Sequence, residues 1–435
     1  MAAGTSETAA QADVAEVLAY IKKSFPKTVR EQTNAGKKNI NVPHPYTVPC
    51  ADGLFQNLFY WDTYFTNLGL LQTGMEGLAK NNTDNLLFLA NKLGYVPNAN
   101  RWEYSNRSQP PLLARMVGDI FSETKDRQWA KQAYRTLAKE HAFWTSRRSS
   151  PTGLNRNFHS ATDDELMEFY TFLAKSRFKG LSCESRVEKL AFSSHSLSEA
   201  ETGWDFTPRF DRRCEDFCPV DLNANLYFCE TMLADMARAL ENGDEHAWSK
   251  KAEDRRRLMS KYLWNEKVGC FTDYDFVNGK QSDLVTCAAL FPLWAGAATQ
   301  EQAEKTLHKV RRLLECESGL AACERRPQKF VYQWDYPNGW PPLQCIAIQA
   351  MDRYGFRTDA RRIAEKYVKT VVRNFKKTGG LWEKYNVVTG STDAVDEYQM
   401  PQMLGWTAGT FIFAVDYLKR TGLTACARMA HEPER

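Results

Sequence analysis

The amino-acid sequence predicts an all-α protein, and three observations support this fold class. Apolar residues recur at helical spacing in roughly a dozen stretches of the chain. Strand-like alternation is scarce, and the best short candidate is residues 269–274. There is neither a βαβ rhythm nor a repeat of fixed length, which argues against a parallel sheet and against a linear solenoid. Helix pairs without such a repeat favour a closed ring, although periodicity alone does not establish closure.

The predicted helices follow one another along almost the whole chain. The first extends from Val14 to Phe25 and places Val14, Val17, Leu18 and Ile21 on one face. The others lie at about 63–74, 84–94, 110–122, 127–146, 163–178, 221–241, 245–263, 284–297, 299–315, 341–354, 358–376 and 403–420. Gly and Pro residues separate them, as turn formers do between helices.

The chain is predicted to form a single domain. No linker rich in Pro, Gly or Ser is long enough to divide it, so we expect one domain over residues 12–425. Residues 1–11 and 426–435 are expected to be tails, the first of them disordered. Residues 147–202 are polar and weakly helical, and we expect them to form an excursion over one end of the ring.

The charge and hydropathy patterns argue against nucleic-acid and membrane partners. The net charge of +4 is spread along the chain, and the densest basic run, residues 255–257, directly follows Glu253 and Asp254. Such a mixed run is typical of a solvated helix face rather than of a phosphate-binding patch. No stretch approaches the roughly 20 consecutive apolar residues of a membrane span. The oligomeric state stays open at this level.

The cysteines and the N-terminus predict a cytoplasmic location. The 11 cysteines are an odd number, scattered along the chain, and most have apolar neighbours, as Cys345 does. Residues 1–11 lack the basic segment followed by an apolar one that marks a secretory signal. Reduced thiols in the cytosol are therefore the favoured interpretation.

We expect the protein to use neither a metal nor a cofactor. Cys214 and Cys218 are spaced C-x3-C with His195 nearby, but a second Cys/His pair is missing, so the zinc signal is weak. The sequence has no Gly-rich phosphate loop, no H-E-x-x-H motif and no nucleophile elbow.

Four segments combine Trp, carboxylate, amide and Gly or Pro residues at a density that a plain core does not require. They are residues 59–64, 97–111, 203–206 and 333–344. Sugar recognition needs partners for hydroxyl groups together with an apolar ring face, which Asn, Gln, Arg and Trp supply. An aromatic content of 12%, with 12 Trp and 18 Tyr, agrees with a small-molecule carbohydrate ligand. The alternative for each segment is a structural corner whose Asp caps the following helix.

The order of these segments resembles that of the family 37 trehalases. Residues 333–344 (Q-W-D-Y-P-N-G-W-P-P-L-Q) are closely similar to the second signature of that family, and residues 52–64 are similar to the first. Further similar segments follow in the family's order at residues 96–111, 203–206, 219–223, 261–265 and 383–385. The resemblance covers about residues 45–420. It implies an (α/α)6 toroid and hydrolysis of a small α-linked sugar with inversion at the anomeric carbon.

The resemblance assigns the chemistry to two carboxyl groups. Asp205 matches the family's general acid and Glu383 its general base. An inverting glycosidase needs a protonated carboxyl at the leaving oxygen and an ionised carboxylate, about 6.5–9.5 Å away, that activates water on the other face of the ring. Asp205 lies between Trp204 and Phe206, where partial desolvation would keep it protonated. Lys384 follows Glu383 and would favour its ionised form if the ammonium group turned inward.

Further positions match residues that line the sugar subsites of the family. The candidate substrate-binding residues are Phe55, Trp61, Asp62, Asn98, Arg107, Gln109, Glu165, Gly203, Asn338, Trp340 and Glu397. Arg107 and Gln109 supply forked and amide hydrogen-bond donors, and Trp340 offers a stacking surface. Asn98 and Asn338 both follow a proline, so turn chemistry is an alternative role for each.

The chain departs from the family pattern at positions that hold the substrate. Leu54 stands where the first signature carries an arginine, Phe59 stands in place of a tyrosine, and residues 161–165 lack the arginine of an Arg-Pro-Glu sequence. These changes leave the acid and the base but remove partners for sugar hydroxyls. Trehalose hydrolysis is therefore the leading interpretation. Two alternatives stay open: the same chemistry on another small α-glycoside, such as a glucosyl- or mannosyl-conjugated compatible solute, and a catalytically silent sugar-binding protein.

Overall fold

Helices dominate the computed structural model, which describes residues 2–31, 38–178, 181–395 and 398–429, with side chains from residue 11 to residue 422. The helices are α1 (Ala2–Ser24), α2 (Tyr60–Leu71), α3 (Glu76–Leu93), α4 (Leu113–Thr124), α5 (Arg127–Arg147), α6 (Asp163–Ser176), α7 (Arg186–Glu201), α8 (Val220–Leu240), α9 (Glu245–Tyr262), α10 (Phe291–Ala295), α11 (Gln300–Leu313), α12 (Pro341–Arg353), α13 (Arg357–Thr378) and α14 (Gly405–Met429).

Two concentric layers of these helices form a closed ring. In the inner layer α2, α4, α8, α10, α12 and α14 pack each on the next, and α14 packs on α2. The outer layer consists of the intervening helices α3, α5, α9, α11 and α13, together with α1, which packs on α13. Inner helices such as α2 are buried on almost every side, as helices enclosed by a second layer must be. The described chain is therefore an (α/α)6 toroid, and the predicted fold class is confirmed.

The ring closes where α2 meets α14, and two glycines permit the close approach. A Cβ atom on Gly409 would lie 1.8 Å from the backbone oxygen of Phe65, and one on Gly69 would lie 2.9 Å from the Cα atom of Gly409. Any larger residue at these positions would push the two helices apart, because the obstructing atoms belong to the backbone.

Most helices begin near the predicted positions, and side-chain caps fix several of the starts. The Asp126 carboxylate accepts hydrogen bonds from the first turn of α5, and Thr162, Ser185 and Thr299 form capping boxes at α6, α7 and α11. Helix α7 was not predicted, since residues 147–202 have weak helical periodicity. The predicted helix over 284–297 is a 3-10 turn at residues 287–290 followed by the short α10.

Short antiparallel strands lie in the connections between the helices. They are β1 (Val29–Arg30), β2 (Tyr46–Thr47), β3 (Phe217–Cys218), β4 (Trp264–Asn265), β5 (Cys270–Phe271), β6 (Tyr274–Asp275), β7 (Lys280–Gln281), β8 (Glu315–Cys316), β9 (Gly319–Leu320), β10 (Asn338–Gly339) and β11 (Tyr385–Asn386). The strand candidate 269–274 is divided between β5 and β6. The pairing of β10 with β11 joins the 333–344 segment to the residues that follow Glu383.

The two ends of the chain are helical where they are described. Helix α1 begins at Ala2, so residues 2–11, expected to be a disordered tail, are helical in their backbone. Helix α14 includes residues 426–429 of the second expected tail, and residues 430–435 lie outside the described residues. Within the described ranges, no helix is long and apolar enough to cross a membrane.

Residues 147–202 contain α6 and α7, which pack against each other. A buried ion pair joins the two ends of this segment: the Arg148 guanidinium group donates to both carboxylate oxygens of Glu201. The same carboxylate accepts hydrogen bonds from the backbone N–H groups of Ser108 and Phe158. Glu201 therefore joins the start of the segment, its end and the 97–111 loop. The assignment of these residues as an excursion from a single domain stays a prediction.

Candidate active site

A cavity of about 500 Å3 opens among the loops at one end of the ring. Its size is within the range of pockets that bind small molecules. The predicted residues that line it are Phe55, Trp61, Asp62, Asn98, Arg107, Gln109, Glu165, Gly203, Asp205, Trp340 and Glu383. Asn338 is not part of the lining, and Glu397 lies outside the described residues. Segments that are far apart in the sequence therefore converge on one site.

Asp205 lies in the turn that follows α7. The side-chain amide of Gln333 donates to the Asp205 backbone oxygen over 2.6 Å, and the Trp334 N–H donates to the Phe206 oxygen over 3.1 Å. The turn needs a glycine, because Gly203 has φ +78° and a Cβ atom there would lie 2.9 Å from the Trp61 ring. These contacts hold the Asp205 carboxyl group at the cavity wall.

The electrostatic setting of Asp205 favours its protonated form. Burial raises the pKa of the Asp205 carboxyl above its usual value, and the nearby charge of Glu383 adds to the effect. The positive charges of Arg177 and Arg107 act in the opposite direction but leave the pKa raised. A carboxyl group in this setting is suited to donate a proton.

Glu383 is 1% exposed and is hydrogen-bonded at both carboxylate oxygens. The ammonium group of Lys384 turns inward and lies 2.8 Å from Oε2 of Glu383. The hydroxyl group of Tyr398 donates to Oε1 over 2.5 Å, and the Trp406 indole N–H donates to the backbone oxygen of Glu383 over 2.9 Å. Both carboxylate oxygens of Glu383 therefore have a charged or hydroxyl donor, which fixes the orientation of the group in the cavity.

Asp62 is a third buried carboxyl group in the cavity. It lies in the first turn of α2. Burial raises the pKa of Asp62 to about 8, and the negative charges of Glu383 and Asp205 contribute. At neutral pH the Asp62 carboxyl therefore carries a proton and can donate a hydrogen bond as well as accept one.

The rear wall of the cavity is a stack of tryptophan rings. Trp334 lies parallel to Trp340, with ring centroids 3.8 Å apart and an interplanar angle of 1°, and it lies 5.3 Å from Trp204. Trp406 meets Trp340 edge-on at 5.8 Å, and Trp61 lies 5.7 Å from Trp334. Because Trp334 covers one face of Trp340, the ring predicted to stack on a sugar also packs within this wall.

Residues 97–111 fix the start of α2 and bring polar groups to the cavity. The backbone oxygen of Asn98 accepts from the Tyr60 N–H over 3.1 Å, and Oε1 of Gln109 accepts from the Trp61 N–H over 3.2 Å. Arg107 is buried beside Tyr104, with its guanidinium carbon 5.2 Å from the ring centroid. Burial lowers the pKa of Arg107, and the nearby charges of Tyr104 and Asp205 act in the opposite direction.

Two of the predicted substrate-binding residues, Asn338 and Glu165, use their side chains in hydrogen bonds to the backbone. Both groups of the Asn338 side chain bond to backbone: Nδ2 donates to the oxygens of Gln333 and Val395, and Oδ1 accepts from the Val395 N–H. Turn chemistry is therefore the role in which the structure places Asn338. Oε2 of Glu165 accepts from the Thr162 N–H over 2.7 Å in the capping box of α6, at the rim of the cavity.

Several residues that line the cavity belong to none of the sequence motifs. Arg177, Tyr398, Phe169 and Phe172 belong to this group. Arg177, Phe169 and Phe172 come from the excursion, where no motif marks them, and Tyr398 follows the predicted Glu397 directly. The only local signal was the density of aromatic residues in the run from 169 to 178.

A buried ion network supports the turn that carries Asp205. The Arg209 guanidinium group donates to both oxygens of Asp221 over 2.8 Å and to both oxygens of Asp273 over 2.8–3.0 Å. Its carbon lies 4.5 Å from the centroid of the Trp204 ring. The two carboxylates raise the pKa of Arg209 despite its burial. The network fixes the start of α8 to the residues after the acid.

The described cysteines are free thiols, and most of them are buried. Burial raises the pKa of Cys270 and of Cys345 to about 12, so these thiols are unreactive. Cys214 and Cys218 are both buried, and in the described part of the chain no group of three or more His, Cys, Asp or Glu side chains is placed to hold a metal ion.

Comparison with known proteins identifies relatives over nearly the whole chain. The sequence model of the family described as Trehalase matches residues 3–419. A periplasmic trehalase from Xanthomonas oryzae pv. oryzae is 32% identical over 425 residues, covering 92% of this chain and 73% of that protein. A periplasmic trehalase from Xanthomonas campestris pv. campestris is 32% identical over 443 residues, covering 95% and 76%.

Solved structures share the fold. The neutral trehalase Nth1 from Saccharomyces cerevisiae is 28% identical and superposes with a TM-score of 0.73 over 92% of this chain and 78% of that chain. A GH63 mannosylglycerate hydrolase from Thermus thermophilus, in complex with Tris and D-glycerate, is 20% identical and superposes with a TM-score of 0.64, covering 91% and 99%. The second similarity supports the toroid alone.

The predicted cytoplasmic location is wrong by this comparison, because the curated relatives are named periplasmic trehalases. The prediction depended on the scattered cysteines together with the lack of a secretory signal pattern in residues 1–11. A thiol that is buried and unreactive persists in an oxidising compartment as well as in a reducing one, so the cysteine count did not report on location.

Proposed function

The chain belongs to the trehalase family of glycoside hydrolases, and from this premise we propose that it hydrolyses α,α-trehalose with inversion. Asp205 acts as the general acid and Glu383 as the general base. The observation that carries the proposal is that the two carboxyl groups line one cavity and have different partners there. Burial raises the pKa of Asp205 above its usual value, whereas Glu383 is bonded to the Lys384 ammonium group and to the Tyr398 hydroxyl group.

The proton transfers follow from these settings. Asp205 gives its proton to the glycosidic oxygen as the bond from that oxygen to the anomeric carbon breaks. Glu383 takes a proton from a water molecule, whose oxygen attacks the anomeric carbon from the opposite face of the ring. The attacked sugar leaves as the β anomer. The other glucose keeps its own bond to oxygen and leaves as the α anomer.

Polar and aromatic groups around the acid and the base support recognition of a sugar. Asp62 and Arg107 offer hydrogen-bond partners of both polarities to hydroxyl groups. Trp61 provides an apolar ring edge. The names of the relatives favour trehalose over the other small α-glycosides, and a site with both a proton donor and a base favours turnover over silent binding.

The assay for this proposal measures glucose release from trehalose by the wild-type protein and by Asp205→Asn and Glu383→Gln. Each variant removes one proton-transfer group with little change in shape, so we expect kcat to fall by roughly 10²–10⁴-fold. Asp235→Asn is the matched control, because Asp235 is an exposed acid of α8 that is not part of the cavity lining. Thermal unfolding of all four proteins checks that the fold is retained.

The anomeric form of the product tests inversion directly. Proton NMR in the first minutes of the reaction should show α- and β-glucose in equal amounts, whereas retention would give the α form alone. Wild-type turnover by either active-site variant would reject the assignment of that carboxyl. Trehalose binding by the wild-type protein without turnover of any glycoside would favour the silent sugar-binding alternative.

A further inference from the structure

Arg177 brings a positive charge from the excursion to the acid. It follows the last residue of α6, where its backbone N–H donates to the Leu173 oxygen over 2.9 Å. The side chain lines the cavity, and its guanidinium carbon lies 4.3 Å from the centroid of the Tyr398 ring. Among the charges that lower the pKa of Asp205, that of Arg177 is the largest, ahead of Arg107. The charge of Arg177 therefore acts on the acid as well as on Tyr398.

Aromatic packing fixes Arg177 at this position. Phe178, the next residue, packs on Phe206, the residue after Asp205, with ring centroids 5.1 Å apart. The guanidinium carbon of Arg212 lies 4.7 Å from the Phe178 ring. Arg177 is followed directly by Phe178, and Asp205 is followed directly by Phe206. The packing of these two rings therefore sets the relative position of the two charged residues.

The cavity-facing side of α6 has the composition of a sugar-binding surface. Phe169 and Phe172 line the cavity with their rings nearly parallel, at an interplanar angle of 18°. Phe172 is 48% exposed, which is high for an aromatic side chain that packs on a helix neighbour. Glu165 and Glu168 line the cavity beside them. Exposed ring faces next to carboxylates suit the C–H face and the hydroxyl groups of a pyranose.

We propose that α6 and Arg177 form the subsite for the leaving sugar, with Arg177 donating a forked pair of hydrogen bonds to its hydroxyl groups. This inference rests on the proposed function, since it takes Asp205 as the acid. In an inverting reaction the attacked ring lies between the base and the acid, and the leaving group lies beyond the acid. The planar guanidinium fork fits two neighbouring hydroxyl oxygens, so the leaving groups this subsite selects are pyranoses with vicinal hydroxyls.

The test compares two substrates that share the attacked ring and differ in the leaving group. Trehalose has a leaving sugar, whereas α-glucosyl fluoride has none, and its fluoride departs without a proton from the acid. We expect Arg177→Met to lower kcat/KM for trehalose by roughly 10- to 100-fold, the range for a lost hydrogen bond to a charged group, and to leave the fluoride nearly unchanged. Arg177→Lys should lie between, because it keeps the charge but not the fork.

Two further variants complete the design. Arg186→Met is the control, because Arg186 is an exposed arginine at the start of α7 outside the cavity lining. Phe172→Ala alters the same proposed subsite at an exposed position and should again lower activity on trehalose more than on the fluoride. It keeps the proposal testable if the Arg177 variants fail to fold.

Equal losses of kcat/KM on both substrates would overturn the proposal. They would indicate that Arg177 supports Glu383 through its contact with Tyr398. Unchanged activity on trehalose would overturn it as well. A binding measurement distinguishes a role of Arg177 in holding the sugar from an effect of its charge on Asp205. In a protein that already carries Asp205→Asn, adding Arg177→Met should still weaken trehalose binding, measured by calorimetry, by about 10-fold or more. Unchanged binding there would contradict recognition. Failure of the proposed function is a different result, since the wild-type protein would then release no glucose from trehalose.

Discussion

Lys384 is the residue through which the support of the proposed base can be tested most directly. Its ammonium group lies 2.8 Å from Oε2 of Glu383, and 0% of the Lys384 side chain and 2% of the Glu383 side chain are exposed. Lys384→Met keeps a side chain of similar length and removes the charge. The Glu383 carboxylate then keeps the Tyr398 hydroxyl but has no cation bonded to it, and Asp62 and Asp205 lie in the same cavity.

The expected magnitude follows from the burial of this pair. Removing one partner of a buried ion pair costs about 3–5 kcal/mol, because an uncompensated charge is left behind. A cost of about 3 kcal/mol corresponds to a factor of more than 100, because about 1.4 kcal/mol is a factor of ten in a rate. The proposed mechanism places Glu383 next to the attacking water. The kcat/KM for trehalose should therefore fall by roughly 100-fold or more.

The assay is the initial rate of glucose release between pH 4 and pH 9 for the wild-type protein, Lys384→Met and Lys366→Met. Lys366 is a matched control, because its ammonium group lies 2.8 Å from a Glu315 oxygen outside the cavity lining. Its variant should keep the wild-type profile. A Lys384→Met protein whose kcat/KM stays within about threefold of wild type across this pH range would refute the reasoning and leave Lys384 a packing role.

Two predictions concern stability. Glu201→Ala should lower the free energy of unfolding in urea by about 3–5 kcal/mol or more. The reason is that Arg148 and the N–H groups of Ser108 and Phe158 lose their buried acceptor. A loss below about 1 kcal/mol would contradict the role of Glu201 in joining these segments. For Asp62, burial raises the pKa from 3.8 to about 8, so the folded protein binds a proton that the unfolded chain has lost, and stability should fall as pH rises between these values. Urea unfolding at pH 5 and pH 8 should show this fall in the wild-type protein and a smaller one in Asp62→Asn, and equal falls would contradict it.

The helices of the ring could be predicted because their apolar periodicity is local. Helix α7 could not, and its burial explains why: the face that it buries includes Ser193, Ser198, Glu199 and Glu201. Polar residues on a buried face leave no apolar stripe in the sequence. The capping box of Ser185 and Glu188 was present as a local signal for the start of this helix.

Membership of a motif did not by itself predict whether a side chain lines the cavity. Asn338 and Asn98 follow prolines in similar contexts, yet Asn98 lines the cavity and the Asn338 side chain is bonded to backbone on both sides. Arg177 has no motif at all. Which side chain reaches the cavity depends on how distant segments pack, and a local pattern does not contain that information.

The sequence by itself determined the helical fold class, the order of the motifs and the two carboxyl groups that we propose as acid and base. Helix periodicity and turn residues act over a few positions, so they can be read from the sequence directly. Only the tertiary structure decided the surroundings of those carboxyl groups. Lys384 and Tyr398 at Glu383, and Arg177 near Asp205, act through space from different elements. Their effect depends on burial and distance, which exist only once the ring has closed.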